Sequence, residues 1–178
     1  PELLTEKVDR YVADYGLDEG LAEQVAYGER WALFEEAVEE RGVAATTAAG
    51  TLESTVTEIR RDGAPVDSLA DRHFRQVFDL LAAGDVPKEG IPELLATLAE
   101  NPGLDASEAA AQAGLESAAE DEVREAVVEV VERNADQVEA EGMGAFSALM
   151  GECMGALRGK ADGDVVSDVL REEIQKRA

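Results

Sequence analysis

"VREAVVEVVER", residues 123–133, is the stretch that decides the fold class of this chain. Four of its five valines stand at positions 123, 127, 130 and 131, which is the three-and-four spacing of one face of an α-helix. Glutamate and arginine fill most of the positions between them, so the opposite face is polar. The stretch therefore predicts an amphipathic helix that buries its valines against other elements.

Two further apolar stripes with helical spacing follow this helix. The first comprises Phe146, Leu149, Met150, Cys153, Met154 and Leu157, and the second Val165, Val166, Val169, Leu170 and Ile174. Three amphipathic helices of this length are typical of a small bundle. We therefore predict that residues 119–178 form a three-helix-bundle tail domain.

The same spacing runs through the first hundred residues, where strand alternation is hard to find. Glycine predicts helix ends at Gly16, Gly42 and Gly84, and Asp18 predicts the start of a second helix. A later helix is expected to begin at Asp67 or Ser68. The segment "NPGLDASEAAAQAGL", residues 101–115, opens with a turn signal and continues as an alanine-rich helix. We predict an all-α fold in which a helical domain, residues 1–118 with a joint at 101–118, precedes the tail.

The excess of acidic residues indicates the environment or the partner to which the protein is adapted. The chain has 40 acidic and 16 basic residues, a formal net charge of -24, and arginine outnumbers lysine by 12 to 4. The acids are spread over nearly every predicted helix, which is unlike an acidic tail. Such a surface is typical of a protein from a strongly saline cytoplasm, because the Debye length falls to about 3 Å at roughly 1 M salt. The alternative is an acidic helical adaptor that binds a basic protein partner.

Several sequence features indicate the cellular compartment in which the protein works. No run of about 18 apolar residues predicts a membrane span, and no signal peptide opens the chain. The lone Cys153 forms no internal disulfide, so we expect a cytoplasmic protein and a buried cysteine. Because Pro1 rather than methionine comes first, we expect a piece of a longer protein.

The residues show no catalytic or metal-binding constellation. The only histidine, His73, is expected on a helix flank or at the surface. Asp162, Asp164, Asp168 and Glu173 fit four positions of a calcium loop, but Val166 and Ser167 occupy positions that need an oxygen ligand and a glycine. We therefore expect Asp162 or Asp164 to cap a helix. Gly151 and Gly155 are expected to allow close approach of a neighbouring helix.

One short turn carries two cations in this acidic chain. Arg158, Gly159 and Lys160 lie between two predicted helices, where a flexible positive turn can contact a phosphate. Asp162 and Asp164 would repel the same phosphate. A solvated loop and an anion contact therefore both remain open on the residues alone.

Residues 132–174 resemble the C-terminal tail of the B and E subunits of the tRNA-dependent amidotransferases, the GatB/YqeY domain. The similarity rests on a glycine-rich entry at 142–144, a G-x-x-M pattern at 151–154 and a G-K-A-[ND] turn at 159–162. Residues 6–17 and 81–99 resemble upstream segments of these subunits, and the "YGL" and "RGKADG" sequences favour the archaeal E branch. Met143 and Ala135 depart from the family pattern, in which lysine and proline are frequent.

The resemblance implies a role in converting Glu-tRNA(Gln) to Gln-tRNA(Gln). In this family a cradle domain uses ATP and magnesium, an amidase subunit of the GatD type supplies ammonia, and the tail recognises tRNA(Gln). The 178 residues correspond to the helical and tail domains only. We therefore expect tRNA binding through Arg158, Gly159 and Lys160, with no catalysis, cofactor, metal or membrane contact in this part of what would be a ligase.

Overall fold

The computed structural model describes residues 1–118, 120–157 and 160–177, and within these ranges it consists of helices joined by short turns. No β-strand occurs within these ranges, so the predicted all-α fold is confirmed. In the first two-thirds of the chain the helices are α1 Leu4–Tyr15, α2 Glu19–Tyr27, α3 Trp31–Glu39, α4 Ala45–Gly50, α5 Val56–Arg61, α6 Asp71–Ala83, α7 Ile91–Glu100 and α8 Ala106–Ala113. The remainder of the described chain contains α9 Glu120–Arg133, α10 Ala135–Glu141, α11 Phe146–Leu157 and α12 Gly163–Arg177.

Local sequence signals set most of the helix ends. Gly16 and Gly84 follow α1 and α6 with φ of 69° and 76°, a left-handed conformation that glycine adopts without steric cost. Asp18 caps α2, since its carboxylate accepts a hydrogen bond of 2.9 Å from the backbone N–H of Leu21. These predicted boundaries are confirmed.

One helix begins later than predicted, and another stretch is not a regular α-helix. The helix expected to begin at Asp67 or Ser68 begins at Asp71, because Val66–Ser68 forms a separate 3₁₀ turn. Between α4 and α5 the backbone continues as a π-helical segment, Thr51–Thr55, so residues 45–61 form one uninterrupted helical rod. Val56 and Ile59 at its end are buried.

Buried apolar side chains fall into two clusters. One lies between Val8 and Leu115 and is centred on fully buried aromatic rings, including an edge-to-face pair of Tyr11 and Phe34 with centroids 4.9 Å apart. The other lies between Val123 and Ile174. A division near residue 118 remains a prediction that fits this distribution.

The three long helices expected in the tail pack against one another and bury the predicted stripes. Val127, Leu149 and Leu170 are fully buried where α9, α11 and α12 meet. The short α10 and a 3₁₀ turn at Gly142–Ala145 were not expected. Val165, which we placed in the apolar stripe of α12, is instead exposed at the start of that helix.

The tail core also contains a buried carboxylate. The side chain of Glu173 is only 5% exposed, and it accepts hydrogen bonds from Arg177 at 2.7 Å, Arg124 at 2.9 Å and Lys176 at 3.2 Å. The Arg177 hydrogen bond, opposed by burial and assisted by Lys176 and Arg124, holds the pKa of Glu173 below its ordinary value. This carboxylate ties α12 to α9.

Within the described residues no helix combines the length and the apolar character needed to cross a membrane.

Candidate nucleic-acid interface

The predicted cationic turn lies between α11 and α12. Arg158 and Gly159 lie outside the described residues. The backbone N–H of Lys160 donates to the carbonyl of Leu157 at 3.0 Å, and the Lys160 carbonyl accepts a hydrogen bond of 2.6 Å from the N–H of Ala118. The end of this turn is therefore bonded to the segment that joins the two parts of the chain.

The Lys160 side chain is exposed at the rim of a groove of about 520 Å³. Lys88 and Lys176 are paired with carboxylates, whereas Lys160 forms no ion pair with another described residue. Arg124 also lines the groove, together with Asp162, Asp168 and Glu172. Because these carboxylates repel anions, the groove itself is a poor phosphate site.

The exposed side of α11 consists almost entirely of small residues. We call it the small-residue face, and it comprises Ser147, Ala148, Gly151, Gly155 and Ala156. Only one of the twelve residues of α11, Glu152, is acidic, whereas α9 has six acids in fourteen residues. The small-residue face is thus a flat surface of low charge that leads into the cationic turn.

The prediction that Gly151 and Gly155 allow the close approach of a neighbouring helix is wrong. Both are exposed, and a Cβ added at either position would meet no atom of another described residue within 4 Å. No neighbouring helix of the described chain therefore requires these glycines, although each costs about 1 kcal/mol of helix propensity relative to alanine. The scarcity of acids in residues 146–157 is the sequence signal that would have indicated this surface.

Reciprocal capping joins the turn to the helical part of the chain. The carboxylate of Asp162 accepts a hydrogen bond from the backbone N–H of Lys88 at 2.7 Å, and the carboxylate of Glu89 accepts one from the N–H of Gly163 at 2.8 Å. We call these four residues the clasp. Each carboxylate satisfies a free N–H at the first turn of a helical element in the other part of the chain.

The clasp corrects one prediction about Asp162. This residue does precede α12, and its carbonyl accepts the 3.1 Å hydrogen bond from the N–H of Val166. Its side chain, however, bonds to Lys88 rather than to its own helix, and Glu89 caps α12 instead. A capping partner that is 74 residues away along the chain leaves no local sequence signal.

Further contacts surround the clasp. The Lys88 ammonium lies 3.7 Å from the Asp164 carboxylate, and the N–H of Ser117 donates to the Asp85 carbonyl at 2.8 Å. Loss of hydration, followed by the neighbouring Asp162 carboxyl, raises the pKa of Glu89. Among the described residues, the hydrogen bonds and the ion pair that join the two parts of the chain link residues 88, 89 and 118 to residues 160–164.

The remaining chemistry-bearing residues are structural. His73, expected on a helix flank or at the surface, lies in the first turn of α6 and is only 1% exposed. Its Nδ1 accepts from the N–H of Ala70 at 2.8 Å and its Nε2 donates to the Pro102 carbonyl at 2.9 Å. Both ring nitrogens are thus used to hold a loop to the start of α6. Cys153 is fully buried as predicted, and burial raises its pKa to about 11.

Comparison with known proteins identifies relatives along the entire chain. The sequence profile of the GatB domain (GatB_Yqey) matches residues 32–174. The chain is 73% identical over 178 residues to the E subunit of the glutamyl-tRNA(Gln) amidotransferase of Halobacterium salinarum and 67% identical over 178 residues to that of Haloarcula marismortui. The corresponding protein of Thermococcus gammatolerans is 39% identical over 176 residues.

These alignments cover 99–100% of the chain but only 28–29% of each relative. The chain therefore spans little more than a quarter of the length of the relatives that it matches. The first two come from halophilic archaea, which agrees with the acid-rich composition. The resemblance stated from the sequence is confirmed.

Proposed function

This chain belongs to the GatB/YqeY domain family, and we propose on that premise that it is the tRNA-recognising part of the E subunit of a glutamyl-tRNA(Gln) amidotransferase. The match of the GatB domain profile to residues 32–174 carries the proposal. It includes all of α11, the cationic turn and most of α12. The tRNA(Gln) in the names of the relatives indicates which RNA we expect.

The surface of the tail supports an RNA ligand. The predicted tail, residues 119–178, has a net charge of -8 and residues 1–118 one of -16, which is the same charge per residue, so the support comes from α11, where only one of twelve residues is acidic. A phosphodiester backbone can approach the small-residue face closely, since no long or acidic side chain stands on it apart from Glu152. Lys160, with Arg158 two residues before it, would supply cations at one end of that face.

High salt favours this kind of recognition. Counterion release contributes little at molar salt, because the logarithm of affinity falls with the logarithm of salt for each phosphate neutralised. Proteins recognise structured RNA largely by shape and by contacts to ribose 2′-hydroxyls. A flat helix face beside two cations suits that mode better than a broad basic patch.

The chain covers only 28–29% of the relatives it matches, which supports placing the catalytic parts of the amidotransferase outside it. We propose that ATP and magnesium bind, and glutamate activation occurs, in a part of the full-length protein outside these 178 residues, and that an amidase subunit docks there. The chain described here would then bind tRNA and catalyse nothing alone.

The test is a binding titration of the chain with tRNA(Gln) and tRNA(Glu) in molar KCl. We expect tighter binding of tRNA(Gln). Arg158→Ala combined with Lys160→Ala should weaken it by about tenfold, which corresponds to about 1.4 kcal/mol, without changing thermal stability. Equal affinity of the wild-type chain for both RNAs would contradict the proposal, and tight binding of a basic polypeptide instead would favour an acidic adaptor.

A matched pair of substitutions tests the surface itself. Ala148→Glu places a charge on the small-residue face, whereas Ala111→Glu places the same charge on an exposed alanine of α8. The first should weaken tRNA(Gln) binding by about tenfold and the second should leave it unchanged. Equal effects of the two substitutions would mean that only net charge matters and that α11 is not the interface.

A further inference from the structure

The clasp lies at the base of the turn on which the proposed function depends. The carbonyl of Lys160 accepts the Ala118 N–H, and two and three residues later Asp162 and Gly163 bond to Lys88 and Glu89. The segment 160–163 thus connects the proposed RNA contact with the helical part of the chain in only four residues.

We propose that Glu89 and Asp162 are positioning residues for RNA recognition, because they fix the cationic turn and the tail in one orientation relative to the helical domain. This inference rests on the proposed function. It assigns a role in tRNA binding to Glu89, which belongs to the helical domain and which the RNA need not touch.

The geometry of the clasp restrains the position of the tail relative to the helical domain. Each carboxylate accepts from a backbone N–H rather than from a flexible cationic side chain. In one hydrogen bond the helical domain supplies the donor, and in the other the tail does. A charge-assisted bond to a fixed backbone group restrains position more tightly than an exposed ion pair such as Lys88–Asp164. Two such bonds restrain both translation and rotation of the tail.

Gly163 allows the two parts to approach closely. A Cβ at this position would lie 3.2 Å from Oε1 of Glu89, which is tighter than ordinary van der Waals contact. Glycine therefore lets the capping carboxylate reach the N–H at the start of α12. The apolar cores on either side are separate clusters, and Ala118 of the helical domain packs against the tail cluster beside the clasp.

The experiment combines an orientation readout with an affinity readout on the same 178-residue chain. Cysteines introduced by Glu58→Cys and Glu139→Cys, both at exposed positions, carry spin labels on the two sides of the joint. Cys153 is fully buried and its thiol is protonated at neutral pH, so it remains unlabelled. Distance distributions are measured by double electron–electron resonance, and tRNA(Gln) affinity is measured in molar KCl.

Removing either clasp acceptor should have two effects. Glu89→Ala and Asp162→Ala should each broaden the distance distribution and weaken tRNA(Gln) binding by about tenfold, the effect of losing one charge-assisted hydrogen bond. Glu89→Gln should largely retain both properties, because its amide oxygen can still accept from Gly163. Glu93→Ala, an exposed acid on α7, is the control for charge and should change neither.

The outcomes separate this inference from the proposed function. If the wild-type chain does not select tRNA(Gln), the proposed function fails and the positioning role fails with it. If the wild-type chain selects tRNA(Gln) but both alanine variants keep narrow distributions, or broaden them with no loss of affinity, the positioning role is wrong while the proposed function stands.

Discussion

The buried carboxylate of the tail gives the sharpest prediction about stability. Glu173→Gln removes the negative charge and keeps the size of the side chain. The neighbouring Glu172→Gln is a matched control, because Glu172 contacts Arg124 and Lys176 too but its side chain is 51% exposed. The two variants have the same net charge and differ mainly in burial.

The contacts of Glu173 set the expected magnitude. Its carboxylate receives three charge-assisted hydrogen bonds, of 2.7, 2.9 and 3.2 Å, and its side chain is 5% exposed. Breaking a fully buried ion pair costs about 3–5 kcal/mol, but the cations here are 31–55% exposed and remain hydrated after the change. We therefore expect a loss of about 2 kcal/mol for Glu173→Gln and no measurable loss for Glu172→Gln.

Urea unfolding of both variants in molar KCl, followed by circular dichroism, measures this difference. A loss of about 2 kcal/mol should also lower Tm by about 4–8 °C in a chain of this size. Because the pKa of Glu173 is lower in the folded than in the unfolded chain, its contribution is present above the ordinary glutamate pKa and is lost as the pH falls through the folded pKa. The wild type and Glu173→Gln should thus converge in acid.

An equal, small loss in the two variants would refute this reasoning. It would mean that the cost of removing the carboxylate from water cancels its attraction to the three cations. A gap between Glu173→Gln and the wild type that persists undiminished in acid would show that packing, rather than charge, causes the loss.

The other predictions concern single residues that the structure explains. Cys153 should resist thiol reagents at pH 8 in the native chain and react once urea unfolds it, because it is buried with a pKa of about 11; rapid native labelling would contradict this. Gly151→Ala and Gly155→Ala should each raise the free energy of unfolding by about 1 kcal/mol, since no other described residue obstructs the added methyl group; a lower free energy of unfolding in urea would contradict this. His73→Leu should cost about 2–3 kcal/mol, because it leaves two backbone groups without their partner; a neutral result would mean that water replaces the ring.

Short-range features were predictable from the sequence. The valine spacing of α9 and the glycine ends of α1 and α6 depend on residues within two helical turns, and these predictions hold. Long-range contacts were not predictable. His73 bonds to a carbonyl 29 residues away, and Asp162 and Glu89 find partners 74 residues away, so burial in the first case and capping in the second have no local pattern.

The candidate interface was only partly predictable from the sequence. Periodicity predicts α11 and the burial of Cys153, but it does not reveal which face of α11 remains uncovered. That follows only once α9 and α12 are in place, because they cover the stripe that includes Leu149. The low density of acids in α11 is informative because the two helices that pack against it have more, six in fourteen residues for α9 and four in fifteen for α12.

The π-helical segment Thr51–Thr55 makes the rod from residue 45 to residue 61 tolerant of a deletion at one place. A π-helical turn holds about one residue more than an α-helical turn, because its hydrogen bonds join residues five apart rather than four. Deleting a single residue within 51–55 would therefore let the rod relax to a regular helix while Val56 and Ile59 stay on their buried side. The same deletion between Val56 and Ile59 would rotate one against the other by about 100°, so the tolerance ends where α5 begins.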